Sequence, residues 1–291
     1  MKELNLDTLH IDKQVEAHGF KLCYNDAAHK YWITHPNGEK HVVYGMTTVQ
    51  KPVGSVTFHK DTGAASSKSD TLINWAVSEV KKALLAGKST EEACRAHTAK
   101  SDYSKDFGKK VHSLIELATT ARMNGMVFTW EDSPEAQVAK KVVSNDLATG
   151  THVIAQELLV FAPSNPEAPK EEWTNWVAGT FDRIVLRDGR IEIQDHKTST
   201  GVYGLDYYTQ LMGYQFMIEW MMTDEDNTYK DTLAALKQQP IAARRINLAK
   251  KDGTFTDEWV STNDLDDRKM LRATLDIFNT YKKYRALFWD K

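Results

Sequence analysis

Apolar and polar positions along this chain follow two periods. Leu72, Trp75, Ala76, Val80 and Leu84 recur at helical spacing, which predicts an amphipathic helix over 69–87 with those residues on one face and Gly87 as its stop. Ser89 and Glu92 stand at capping-box spacing and start a second helix. Further helices are predicted over 104–125, closed by Asn124-Gly125, and over 133–150, opened by Pro134 and closed by Gly150. The period then drops to two, and 152–161, 175–187 and 190–197 read as strands. A helix over 205–222 comes next, then a shorter one near 227–238, a hairpin over 242–260 and a closing helix over 264–287. Residues 20–46 read as short strands joined by turns. This order predicts an α/β (α+β) fold with a central mixed β-sheet flanked by helices, plus an N-terminal α-rich elaboration. A single domain over 1–291 is expected, divided into an elaboration (1–100), a core (101–222) and a C-terminal hairpin and helix (223–291).

The stretch FDRIVLRDGRIEIQDHKTST (181–200) carries the chemistry. Two apolar runs flank Asp188-Gly189, a strong signal for a two-residue hairpin turn. That register sets Arg187 against Arg190, Leu186 against Ile191 and Ile184 against Ile193, and extends to Asp182 against Asp195. Opposed side chains have Cβ atoms ~5 Å apart, and like charges so placed destabilise a sheet. A divalent cation is the expected neutraliser. Strand alternation puts Lys197 on the same face as Asp195, Ile193 and Ile191. Carboxylates at the end of an apolar surface suit Mg²⁺ or Mn²⁺, and a neighbouring lysine can orient or activate water.

Bulk composition narrows the classes. The 291 residues include 37 basic and 40 acidic side chains, for a net charge of −3. Such a balance gives no global pull on nucleic acid, so a DNA partner needs a local basic patch. The two cysteines, Cys23 and Cys94, form neither a disulfide framework nor a zinc motif. No secretory leader and no membrane-length apolar run is read, so a soluble, cytoplasmic protein with no membrane partner is expected.

Gly179, Asp182, Asp195, Lys197 and Thr198 together resemble the PD-(D/E)xK nuclease superfamily, in its RecB-like and phage-exonuclease branch. Phe181 stands where the nominal pattern has proline. GKKVHSLIE (108–116) is similar to that branch's helical motif, in which a histidine helps to bind metal; here it is His112, with Glu116 one turn on. QLMGY (210–214) resembles the Gln-x-x-x-Tyr helix that comes after the lysine. The resemblance implies a restriction-endonuclease-like core and a Mg²⁺-dependent DNA exonuclease. Asp182, Asp195 and Lys197 would be catalytic, and His112, Asp182, Asp195 and His196, through its carbonyl, would bind metal. Glu116, Glu157, Arg183, Thr198, Gln210 and Tyr214 would support the site or touch DNA. Iron–sulfur relatives use four cysteines, so no such cluster is expected. The implied partners are linear DNA ends, a single-strand annealing protein and further copies of the chain.

Three alternatives remain open on this reading: an endonuclease on the same fold, a non-catalytic DNA-binding or annealing accessory protein, and a cation-binding structural protein with no nucleic-acid role. Beyond Arg183, candidate phosphate contacts are Lys109, Lys110, Arg244, Arg245, Lys250, Lys251, Lys282, Lys283 and Arg285. Trp173, Trp176 and Trp75 are candidate stacking platforms, with core packing the expected role of Trp75, and the loop 162–173 a candidate flap.

Overall fold

The structure is a computed structural model that describes residues 6–51, 53–58, 65–202, 204, 206–261 and 265–289. Four strands open the chain: β1 (Lys13–Ala17), β2 (Phe20–Asn25), β3 (Lys30–Thr34) and β4 (Lys40–Gly45). They pair antiparallel in sequence order. The elaboration thus begins as a β-meander, and its long helix comes only afterwards. Next come a short helix α1 (Met46–Val49), a small hairpin of β5 (Val56–Phe58) and β6 (Ala65–Ser67), and α2 (Lys68–Leu85).

Helix α2 corrects one expectation. It buries Glu79 and Ala83, while Leu72, Ile73, Val77 and Leu84 lie exposed. Glu79 is held there by Lys82 and Lys100, each 2.9 Å away. The next two predicted helices are one, α3 (Thr90–Met123), begun by the Ser89–Glu92 capping box. Helix α4 (Pro134–Ala148) comes after it, with Ser133 as its cap.

The remaining strands are β7 (His152–Pro163), β8 (Trp176–Arg187), β9 (Arg190–Lys197), β10 (Ile241–Ala249) and β11 (Phe255–Ser261). Helix α5 (Asp206–Met221) comes after β9, α6 is only Ala235–Gln238, and α7 (Leu265–Trp289) closes the chain. All strands except β5 and β6 join one mixed nine-stranded sheet, in the order β1-β2-β3-β4-β8-β9-β10-β11, with β7 on β8.

The hairpin β8–β9 has the predicted register, with Arg187↔Arg190, Leu186↔Ile191 and Ile184↔Ile193. Asp188 and Gly189 both take positive φ, 50° and 71°, as a type I′ turn requires. The sequence does not announce that β10 lies parallel to β9, or that β4 lies parallel to β8.

Strand β8 is the hub of the sheet. Strand β7 occupies one of its edges along its whole length. The other edge is shared: β4 takes Val177 and Ala178, and β9 takes Arg183 to Arg187. Between them, residues 179–182 face a fork where neither strand continues the ladder. Alternation divides the two faces of the sheet. Ile184, Ile191 and Ile193 pack with Leu211, Tyr214 and Met217 of α5 in the main core. Arg183, Glu192 and Gln194 point the other way, toward α4.

Candidate active site

Asp182 lies at the fork. The β8–β9 ladder ends at Arg183↔Gln194, so Asp182 and Asp195 do not form the further rung that the hairpin register predicts. Instead the Asp182 carboxylate accepts a hydrogen bond from the backbone N–H of His196, at 2.6 Å. The two carboxylates still share a site, because the charge of Asp182 helps to push the Asp195 pKa upward. Burial is the larger cause of that rise, and Lys197 opposes it. The Lys197 Nζ lies 2.6 Å from Asp195 Oδ2 and 5.6 Å from the centre of the Tyr207 ring. Burial works against the Lys197 charge, but Asp195 and Asp182 outweigh it, and its pKa moves up. Lys197 is therefore an ammonium in this setting.

Helix α3 brings His112 to the same place. Its Nδ1 stands 3.6 Å from Asp182 Oδ2, and its ring meets that of His196 edge-on at 6.0 Å. Gly108, one turn earlier, lies so close to the residue after β9 that a Cβ there would sit 3.1 Å from Thr198 Oγ1. The His196 ring is buried, its pKa falls well below the usual value through burial, and neither ring nitrogen has a hydrogen-bond partner among the described residues.

Glu157 completes the cluster from β7. The flanking pairs Gln156↔Arg183 and Leu158↔Phe181 set it across from Asp182. Its backbone is left-handed, φ 52°, a conformation uncommon outside glycine. Burial first, then Asp182, with smaller contributions from Glu116 and Asp195, pushes its carboxyl up to about 8. Lys13 opposes this and donates a 3.2 Å hydrogen bond to the Glu157 carbonyl.

The Gln-x-x-x-Tyr pair supports β8 from α5. Gln210 donates to the Tyr214 hydroxyl at 2.9 Å, and both are buried. The Tyr214 ring covers Gly179 so closely that a Cβ there would fall 2.5 Å from a ring carbon. The glycine of Gly-x-x-Asp is thus a seat for the tyrosine.

Several expected DNA contacts are displaced. Arg183 is 2% exposed and makes a two-pronged ion pair with Asp146, at 2.6 and 2.8 Å. Arg244 is buried against Asp267, and Arg245 against Glu192 and Asp257. None of the three presents a guanidinium to an external phosphate. Trp176 is buried in an aromatic cluster with Phe20, Phe161 and Trp220, which removes it as a stacking platform. Trp173 packs on the same cluster. Lys110 is held by Glu131, while Lys109, Lys251, Lys282 and Lys283 are exposed. The side chain of Arg285 lies outside the described residues.

Among the described residues, no three His, Cys, Asp or Glu side chains are gathered closely enough to hold a metal ion. A Mg²⁺ site asks for less, since that ion keeps several waters and takes one or two carboxylates plus substrate phosphate. The donor set fits such an ion. Asp182 and Asp195 lie near Glu157, whose carboxyl is driven to about 8 by burial first and then by Asp182, and the Lys197 ammonium is held by Asp195.

No protein-family model matches the chain, and no curated protein matches it. Among solved structures the chain is similar to one titled Crystal structure of SSO0001, with a TM-score of 0.30 and 10% identity over 49% of this chain. The match spans 56% of that chain's length. A likeness this distant carries no argument.

Proposed function

We propose that this chain is a divalent-metal-dependent deoxyribonuclease of the RecB-like PD-(D/E)xK kind, acting as an exonuclease on linear DNA. One observation carries the reading. Residues far apart in sequence come to one fork in the sheet: His112 stands beside Asp182, Glu157 lies across from it, and Lys197 pairs with Asp195. A structural protein has no need of that arrangement, because buried like charges cost stability.

Asp182 and Asp195 would hold Mg²⁺, with His112 and the carbonyl of His196 as further donors. When bound, the ion supplies charge neutralisation and polarisation of a phosphate oxygen. The chain's own contributions come from its geometry. Lys197, kept charged by Asp195, donates a hydrogen bond to an attacking water or to a phosphate oxygen and offsets developing negative charge. The His196 N–H fixes the Asp182 carboxylate. Tyr214, seated on Gly179 and tied to Gln210, keeps β8 against α5.

The test uses labelled linear and circular DNA with Mg²⁺, Mn²⁺ or EDTA. Metal-dependent digestion of linear DNA alone is expected, and Lys197→Ala should slow it by about 100-fold or more. Cutting of circles would instead indicate an endonuclease on the same site. Intact DNA in every lane, or a Lys197→Ala variant as fast as wild type, would overturn the reading.

A further inference from the structure

Directly behind the acidic cluster, on the opposite face of the sheet, lies a buried line of polar side chains. Arg183 comes after Asp182 on β8, and Gln194 precedes Asp195 on β9; the two form the last rung before the fork. Arg183 Nε donates to Gln194 Oε1 at 2.9 Å, while its two terminal nitrogens hold Asp146 of α4. Asn247 of β10 donates to the same Gln194 oxygen at 3.0 Å. The Gln194 amide donates to Glu192 at 3.0 Å. Arg183, Asp146, Gln194, Glu192 and Asn247 are all within 2% of full burial.

Neither a hydrophobic core nor the strand ladder calls for this line. Burying an ion pair is often no gain in stability over apolar side chains of similar volume. What the arrangement does supply is a fixed position. Three strands are joined through one glutamine side chain, at the rung where β8 and β9 stop pairing, and Arg183 ties helix α4 to the same point. Strands that part there are free to vary their separation, and the two acids lie one residue beyond. We propose that Asp146, Arg183, Gln194 and Asn247 form a clamp that sets the width of the fork, and with it the His196 N–H bond to Asp182 and the placing of Asp182 relative to Asp195. These are positioning residues, since none reaches the fork itself. Their assignment to a nuclease site rests on the proposed function; the geometric claim does not.

The experiment therefore needs neither metal nor DNA. Amide hydrogen exchange at His196 is measured in the wild type, in Gln194→Leu and in Val15→Ala. The last is a control that weakens the core at β1, which reaches the site from the β7 side and not through the clamp. Gln194→Leu is expected to speed exchange at His196 by about 10-fold or more while Ile184 and Ile193 keep their protection. Val15→Ala is expected to leave His196 as in the wild type. Unchanged exchange at His196 in Gln194→Leu, or equal loosening in both variants, would overturn the clamp. Should Gln194→Leu not fold, Asp146→Asn, which keeps the side-chain shape and removes the charge, is read in the same way with the same two outcomes. Cleavage of DNA by the wild type is scored separately, so an inactive chain with an intact clamp and an active chain without one give different results.

Discussion

At the scale of single residues, Glu157 carries the most unfavourable combination in the site. Its φ of 52° suits glycine or asparagine better than glutamate, and its carboxyl shares space with Asp182, Asp195 and Glu116. Burial and those charges raise it from 4.5 to about 8. Between these values the folded chain keeps a proton that the unfolded chain has released. The stabilisation is complete below 4.5 and is lost as pH rises through about 8. Glu157 is only partly buried, so the swing is on the order of 2 kcal/mol rather than the full value of the shift. With EDTA present, the unfolding free energy of the wild type should fall between about pH 5 and about pH 9, and Glu157→Gln should flatten that fall. A wild type that gains stability over the same range would contradict the assignment. The position of Glu157 before the Gly-x-x-Asp strand was legible, but its left-handed backbone and raised pKa were not. Both depend on what stands across from it on β8, and no local pattern encodes that.

Between elements, the contact of α5 with β8 turns on one missing side chain. Tyr214 lies where a Cβ on Gly179 would be 2.5 Å from its ring. Such an overlap forces a ring or strand to move, which costs about 1–3 kcal/mol in a packed core. Gly179→Ala should lower stability by that amount, and Tyr214→Leu in the same molecule should recover part of it. The two changes would then couple in a double-mutant cycle measured by urea unfolding. Strict additivity would mean that the ring moves freely. Element prediction succeeded where the signal was local. The period-two runs and the Asp188-Gly189 turn fixed the β8–β9 register, and Ser89 and Glu92 marked a true helix start. It failed where burial decided. Helix α2 hides Glu79, through its two lysine partners, and shows Leu72 and Leu84. Helix α3 is a separate case: it runs unbroken, and the absence of Gly and Pro between Ser89 and Phe107 was a local signal that went unused.

For the molecule as a whole, the telling fact is where the positive charge goes. The N-terminal meander joins the main sheet through Tyr44 and Gly45 against Val177 and Ala178, residues too distant in sequence for any motif to connect. The arginines are equally hard to place from sequence, because Arg183, Arg244 and Arg245 read as a basic surface and are in fact consumed by Asp146, Asp267, Glu192 and Asp257. With a net charge of −3 and those arginines inside, DNA would meet mainly separate lysines such as Lys109, Lys251, Lys282 and Lys283. Each phosphate neutralised contributes about −0.9 to the slope of log affinity against log salt on duplex DNA. Four such contacts predict a slope of about −4, well short of the value near −10 reached by proteins with many phosphate contacts. The measurement is equilibrium binding of Lys197→Ala to duplex DNA across a salt series, so that cleavage does not interfere. Lys109→Ala and Lys282→Ala, added singly, should each make the slope shallower by about 0.9. A slope steeper than about −8 would require a broad basic surface that the buried arginines cannot provide.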